Sequence, residues 1–353
     1  MGKIITFGEI MGRLAAPGAL RFSQVMPGSL ELTFAGAEAN AAVAVAELGG
    51  TAAFITALPS HAMADACVAQ LRGFGIETDG ILRVSEGRMG LYFLEKGVNQ
   101  RPGRIIYDRE FSVLATTPAS AYDWPVILEG GEWLLVSGIT PAVSRNAAEV
   151  TRVALKRAGE RGLNIALDMN FRGKLWRWDP SLSPRELSLR VLRELIPFVD
   201  LLIGGYEDFA SVLDGDSTAG CQASRHEMAR RVAARFPNVQ LVAMTLREGI
   251  SAHHNLWGGV LYESGADRFH FAPHETDRYS ITHIVDRLGV GDAFTGSLLF
   301  ALTTPEWSEP GRSLQFATAA SCLAHSIQGD YSRISRRDVE VLLAGDDSGR
   351  VRR

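Results

Sequence analysis

Along most of the chain, short apolar runs alternate with longer stretches whose apolar residues recur at helical spacing. Ile4 to Phe7 reads as a first strand, ended by Gly8-Glu9. Ala39 to Leu48 reads as an alanine-rich helix closed by Gly49-Gly50, and Ala52 to Leu58 as the next strand. Met63 to Phe74 follows as a helix, with Gly75 just past its end, where glycine is favoured. Strand patterns recur at Trp133–Val136, Ile165–Met169, Leu201–Ile203 and Val239–Thr245, with a helix at Arg145–Arg161. This rhythm predicts an α/β fold: a central, mostly parallel sheet flanked by helices on both faces. In such a sheet, ligands sit beyond the carboxyl ends of the strands.

Two stretches break the rhythm. Within about residues 84–115 the segments GLYFLE and GRIIYDRE are extended and no helix appears, which predicts a small β lid outside the main sheet. Ser251 to Ile284 is also poor in helix and predicts hairpins near one end of the sheet. Beyond it, helices are expected at Asp292–Leu302, Leu314–Ile327 and Arg336–Leu343, the last with Ser335 as N-cap. No repeat or low-complexity linker divides the chain. The expectation is one α/β domain over residues 1–345, with 346–353 a frayed tail.

Composition narrows the classes. At 353 residues, with 46% apolar and 22% charged positions, the chain can build a large core without staples. Its 36 Lys and Arg against 40 Asp and Glu leave a formal charge of −4, which gives no basic patch for nucleic acid. Cys67, Cys221 and Cys322 lie far apart, with no CxxC pair, and fit buried thiols in a reducing compartment. No apolar run approaches the roughly 18 residues of a membrane span. The opening MGKIITFGEI enters a strand directly, without the apolar core of a signal peptide. A cytoplasmic protein is expected.

The segment IVDRLGVGDAFTGSLLFAL, residues 284–302, carries the sharpest chemical signal. Gly289, Val290 and Gly291 precede Asp292, and a helix begins there. Such a turn aims backbone N–H groups at one point, and the positive end of the helix adds to them. A carboxylate beside an anion hole suits phosphoryl transfer to a hydroxyl: the base orients the alcohol while the N–H groups meet the charge on the moving phosphoryl oxygens. A plain aspartate N-cap after a glycine turn has the same spacing. Phosphate-loop, dinucleotide, zincin and hydrolase-elbow motifs are all absent.

A second segment is FAGAEANAAVAVAELGG, residues 34–50. Gly36 leaves room for a ligand to approach and Asn40 offers both a donor and an acceptor. An alanine-rich packing helix capped by Asn40 explains the same residues.

Taken together, AGAEAN and DRLGVGDAF resemble the N-terminal and C-terminal signatures of the ribokinase-like (PfkB) carbohydrate kinases, in the right order and separation. The resemblance runs from about Lys3 to Leu343. Within that family, GAEAN, YDR at 107–109 and DMNFR at 168–172 resemble the 2-keto-3-deoxygluconate kinases, as does Asp-Arg at 286–287 in place of Asp-Thr. The resemblance implies a ribokinase-like fold and transfer of phosphate from ATP, with Mg²⁺, to the terminal hydroxyl of 2-keto-3-deoxy-D-gluconate. It implies Asp292 as the base and Gly289, Val290 and Gly291 as the anion hole. Glu9, Gly36, Asn40, Tyr92 and Tyr107 would surround the sugar, with Asp330 within reach, although Asp330 fits a solvated loop aspartate better. Arg109 and Arg172 would read its carboxylate, since a guanidinium fork matches a carboxylate bidentately. Arg109 also fits an exposed charge on an edge strand, and Arg172 also fits the ATP phosphates or a pairing with Asp168 or Trp176. A homodimer through the lid strands is implied as well.

Two motifs depart from the family pattern. IGGYEDF, residues 203–209, has Gly205 where the family usually has asparagine, which leaves Glu207 and Asp208 for Mg²⁺, although an acidic pair favoured by a helix N-terminus fits them better. A magnesium ion that keeps most of its waters needs only one or two such groups. TLREGIS, residues 245–251, has a single glycine where the family often has two; Thr245, Arg247 and Gly249, with Asn170, would line the nucleotide. The histidines show no ligand spacing, and adjacent His253 and His254 would point to opposite faces of a strand. Two other functions keep these residues: a kinase of the same fold for fructose or another sugar, and a regulatory protein that binds sugar or nucleotide without turnover.

Overall fold

The computed structural model describes residues 2–213 and 224–345; Cys221 and the expected tail 346–353 lie outside the described residues. Strand β1 (Lys3–Phe7) sits within the main sheet, because its run of Ile4, Ile5, Thr6 and Phe7 is apolar or β-branched and is covered on both faces. It pairs in parallel with β4 (Thr51–Ile55) on one side and β9 (Gly131–Ser137) on the other. Outward from β9, the parallel order continues through β10 (Asn164–Asp168), β11 (Leu201–Gly204) and β12 (Leu241–Gly249). Three more strands extend that edge antiparallel: β13 (Asn255–Glu263) on β12, then β14 (Arg268–Ala272) and β15 (Tyr279–Ile281) on β13. The helix-poor stretch 251–284 therefore belongs to the main sheet. TLREGIS lies mostly on β12, whose residues through Gly249 pair with β13.

Alternation along the strands separates two cores. Ile4, Trp133 and Leu135 join the helices Ala37–Glu47, Val290–Leu302 and Pro310–Ala324 on one face. Ile5, Phe7, Leu134 and Val136 join the helices Arg145–Glu160 and Pro184–Leu195 on the other. Each fully buried Leu, Ile or Phe there contributes about 1.5–3 kcal/mol. The first helix is alanine-rich for a packing reason: the Cα of Gly296 lies against the carbonyl of Ala41, so the two backbones nearly touch. Helix 290–302 starts two residues before the expected Asp292, and Pro310–Ala324 lies upstream of the expected 314–327. Arg336–Leu343 has the expected bounds, with Ser335 and Asp338 forming a capping box.

A second sheet of four strands, in the order β3-β2-β7-β8, stands apart from the first. Two strands come from the expected region, β7 (Leu91–Glu95) and β8 (Arg104–Asp108). The other two, β2 (Met11–Ala15) and β3 (Glu31–Ala35), come from the N-terminal segment. Its inner face carries Met11, Ala15, Ala35, Tyr92 and Leu94, packed against Tyr107 and Leu288. A short parallel pair, β5 (Ala57–Pro59) with β6 (Leu82–Val84), completes the strands. Among the described residues no helix is long and apolar enough to cross a membrane.

Candidate active site

A cavity of about 630 Å³ opens beyond the carboxyl ends of β1, β10, β11 and β12, with the inner face of the second sheet across from them. That volume falls in the range of small-molecule sites. Of the residues singled out from the sequence, Glu9, Gly36, Asn40, Tyr92, Tyr107, Arg109, Asn170, Arg172, Asp208, Thr245, Arg247, Gly289, Val290, Gly291, Asp292 and Asp330 all line it. Gly249 and Glu207 are not part of its wall. Gly249 ends β12 as an exposed residue beside Asn255, and Glu207 is exposed on the helix Tyr206–Val212.

Asp292 sits in the first turn of the helix Val290–Leu302, whose first N–H groups have no partner within the helix. Gly289 caps that helix with φ +77°, a left-handed conformation that glycine adopts without strain. A Cβ on Gly289 would also lie 1.9 Å from the carbonyl of Asp330. Gly291 differs: a Cβ there would meet nothing within 4 Å, so the wall at Gly291 is open. Asn40 Nδ2 donates to Asp292 Oδ2 at 2.6 Å, and Asn40 Oδ1 accepts the N–H of Gly36 at 3.2 Å. The space at Gly36 is taken by the protein itself, because a Cβ would stand 2.0 Å from the carbonyl of Glu9. Close packing, not room for a ligand, requires glycine there.

Burial pushes the carboxyl of Asp292 up to about 7; the Asn40 hydrogen bond opposes the rise and the charge of Asp330 adds to it. Asp168, at the end of β10, is raised well above the usual range by burial and then by the charges of Asp292 and Asp208; Thr295 donates to it. A general base is most effective with its pKa near the working pH, which is where Asp292 lies.

Several polar groups that back the wall residues Tyr92 and Asp330 were not singled out from the sequence. Arg13, on β2, is buried between two carboxylates, with Nη2 donating to Asp286 at 2.8 Å and Nη1 donating to Asp330. Lys96 adds an ion pair to Asp286 at 3.1 Å, and Tyr92 donates its hydroxyl hydrogen to Asp330 at 2.9 Å. Burial alone would raise Asp286, but Arg13 and Lys96 outweigh it and hold the carboxyl low. The Asp330 side chain, 9% exposed and bound by Arg13 and Tyr92, is therefore not a solvated loop residue. A charged residue at the centre of a strand pattern, as in MGRLA, was the signal available for Arg13.

Arg109 is not an exposed edge charge. It is buried and ion-paired with Glu9, to which Nε donates at 2.7 Å and Ser112 donates its hydroxyl hydrogen. Glu9 and Arg109 thus spend much of their charge on each other at the cavity wall. Arg172 contrasts with them: its carbonyl accepts the N–H of Leu175, but among the described residues its guanidinium makes no hydrogen bond or ion pair. Its charge reaches Asp168, Asp292 and Arg247. Arg247 is itself held low by burial and by Arg172, and Lys174 and Arg287 line the same end. This end of the cavity is cationic and suits a polyanion.

The cavity offers little to a dehydrated metal ion. Among the described residues, no group of three or more His, Cys, Asp or Glu is arranged to hold one. Asp208 accepts the N–H groups of Gly205 at 2.7 Å and Phe171 at 3.1 Å, which fixes its carboxylate at the wall near Asp168. One or two such carboxylates fit Mg²⁺ held mainly by water and phosphate oxygens.

Comparison with known proteins agrees with this geometry. The family described as pfkB family carbohydrate kinase matches residues 1–246. The chain is 33% identical over 349 residues to a 2-dehydro-3-deoxygalactonokinase of Haloferax volcanii, covering 98% of each. Among solved structures, a 2-dehydro-3-deoxygluconokinase from Thermotoga maritima superposes with a TM-score of 0.87 at 38% identity, covering 98% of this chain and 100% of that one. A PfkB family carbohydrate kinase from Listeria grayi gives a TM-score of 0.86 at 30% identity, covering 97% and 99%.

Proposed function

Because the chain belongs to the pfkB family of carbohydrate kinases, we propose that it transfers the terminal phosphoryl group of ATP to the terminal hydroxyl of 2-keto-3-deoxy-D-gluconate. The observation that carries this reading is Asp292, buried beside the open turn at Gly291 and held by Asn40. With its carboxyl near pH 7, Asp292 takes the hydroxyl proton as the oxygen attacks phosphorus, and the bond from phosphorus to the leaving oxygen of ADP breaks. The N–H groups of Val290, Gly291 and Asp292 stabilise charge on the transferred group. Thr245, Arg247, Asn170 and Lys174 face the nucleotide, with the cationic end of the cavity over its phosphates. Asp208, with Asp168 nearby, would hold Mg²⁺, which would neutralise phosphate charge when bound.

Arg172, whose charge reaches both Arg247 and Asp292, stands where the cationic end meets the sugar end, and its guanidinium is free to read the sugar carboxylate, while Arg109 supports the pocket through Glu9. Tyr92, Tyr107 and Asp330 complete the sugar end. The second sheet closes over that end as a lid and keeps water from the phosphoryl group. A galactonate-configured substrate is the second reading, favoured by the likeness to the Haloferax volcanii enzyme. Phosphorus NMR tests both: Mg-ATP with each epimer should give a sugar phosphomonoester and ADP, and the epimer with the larger kcat/KM is the substrate. Absence of a phosphomonoester with either would overturn the reading.

The outer face of the lid aligns Leu32, Leu14, Phe93 and Ile106 in one cross-strand row, with Leu32 47% and Ile106 48% exposed. An apolar row on an exposed sheet supports a homodimer through the lid. Sedimentation of Ile106→Glu against the unaltered protein tests it.

A further inference from the structure

We propose that Arg13 is a positioning residue that ties the lid sheet to the anion turn, so that seating the lid sets the geometry of Gly289–Asp292. The proposal rests on the kinase reading for its catalytic consequence, but not for the coupling itself.

Arg13 lies on the inner face of the second sheet, opposite Tyr92 in the register of β2 and β7. Its guanidinium leaves that sheet and ends between Asp286 and Asp330, on two loops of the main body. Each carboxylate leads to Gly289 by a separate route. Asp286 Oδ1 accepts the N–H of Arg287 at 2.8 Å and of Leu288 at 3.3 Å, which folds the chain into the turn. Asp286 Oδ2 takes Arg13, Lys96 and the N–H of Gly329 at 3.3 Å. Asp330 uses its side chain on Arg13 and Tyr92, while its backbone carbonyl backs the Cα of Gly289. Thus one guanidinium spans the two segments that press on the first residue of the anion hole.

Charge and shape both require arginine. Two cations, Arg13 and Lys96, balance two carboxylates, Asp286 and Asp330, in a buried cluster. A lysine at residue 13 would restore the charge, but its compact ammonium lacks the planar fork that spans two acceptors. The cluster also joins the lid to the turn from two strands, since Lys96 follows β7 directly.

The test compares Arg13→Lys and Arg13→Met with the unaltered protein, using two kinds of readout. Hydrogen exchange of the free protein should show the amides of Arg287 to Gly291 exchanging at least about tenfold faster in Arg13→Met, with the main-sheet strands unchanged. Steady-state kinetics should show kcat lowered about tenfold in Arg13→Lys and about a hundredfold in Arg13→Met, with KM for ATP within about twofold. Lys should keep the melting temperature near that of the unaltered protein, so that a kcat loss in that variant separates positioning from folding. Unchanged exchange in the turn, or unaltered kcat in both variants, would overturn the proposal. If the unaltered protein phosphorylates no sugar, the kinase reading fails, and turn exchange alone still decides whether Arg13 couples lid to turn.

Discussion

Asn40 donates its amide hydrogen to Asp292 across 252 residues of sequence, at 2.6 Å. The contact joins the two signature segments at the point where the proposed base works. Because that hydrogen bond favours the ionised carboxylate, removing it should raise an already high pKa. Asn40→Ala should therefore move the acidic limb of the kcat/KM profile to higher pH, and activity at pH 7 should fall more than activity at pH 9. A uniform loss at every pH would mean that Asn40 acts on the sugar and not on Asp292.

The raised carboxyl of Asp292 also predicts a stability effect. Its folded-state pKa, about 7, lies above the ordinary aspartate value of 3.8. The stabilising contribution is thus complete below about pH 4 and is lost as pH rises through about 7, where burial of the charge costs on the order of a few kcal/mol. Asp292→Asn should melt higher than the unaltered protein at pH 8, and the gap should close toward pH 4. Turnover should fall by about three to four orders of magnitude in the same variant. Equal melting temperatures at pH 8 would contradict the burial argument.

The glycines of the turn should respond differently to alanine. Gly289→Ala meets the carbonyl of Asp330 at 1.9 Å and a left-handed φ, so it should lower the melting temperature by several degrees. Gly291→Ala meets open space and should fold normally. Its methyl group would enter the volume needed by the transferred phosphoryl group, so kcat should fall at least about tenfold. Calorimetry and ADP release on both variants check the contrast.

Arg172 and Arg109 should also separate. Arg172→Ala should leave stability unchanged and weaken an acidic sugar at least about tenfold more than a neutral one. Arg109→Ala strands Glu9 as a buried charge and should cost about 3–5 kcal/mol of stability. Adding Glu9→Gln should recover much of that loss. Thermal melts with KM values for gluconate-type and neutral sugars distinguish the two.

The parallel sheet, its flanking helices and the turn before Asp292 were legible because each is encoded locally, by apolar runs, alanine spacing and glycines. Half of the second sheet was not. MGRLA and ELTFA are five-residue strands, and β2 finds its parallel partner β7 some 80 residues away. A pairing that distant leaves no local pattern. The same reason hid Arg13, whose partners come from residues 286 and 330. That Gly249 ends a strand outside the cavity wall was not legible, because a lone glycine resembles a loop and only the antiparallel pairing with Asn255 extends the strand to it. Sequence did not separate Glu207 from Asp208, because neighbouring acidic residues at a helix start face different ways, and of the two Asp208 turns back to Gly205 and Phe171 at the cavity wall.

The most direct measurement is ADP release from Mg-ATP with 2-keto-3-deoxygluconate, its galactonate epimer, gluconate, fructose and ribose, run for the unaltered protein and Asp292→Asn. The account predicts ADP only when a keto-deoxy sugar acid is present, and almost none from the variant. Sugar-independent ADP, turnover favouring fructose or ribose, or a variant as active as the unaltered protein would contradict it.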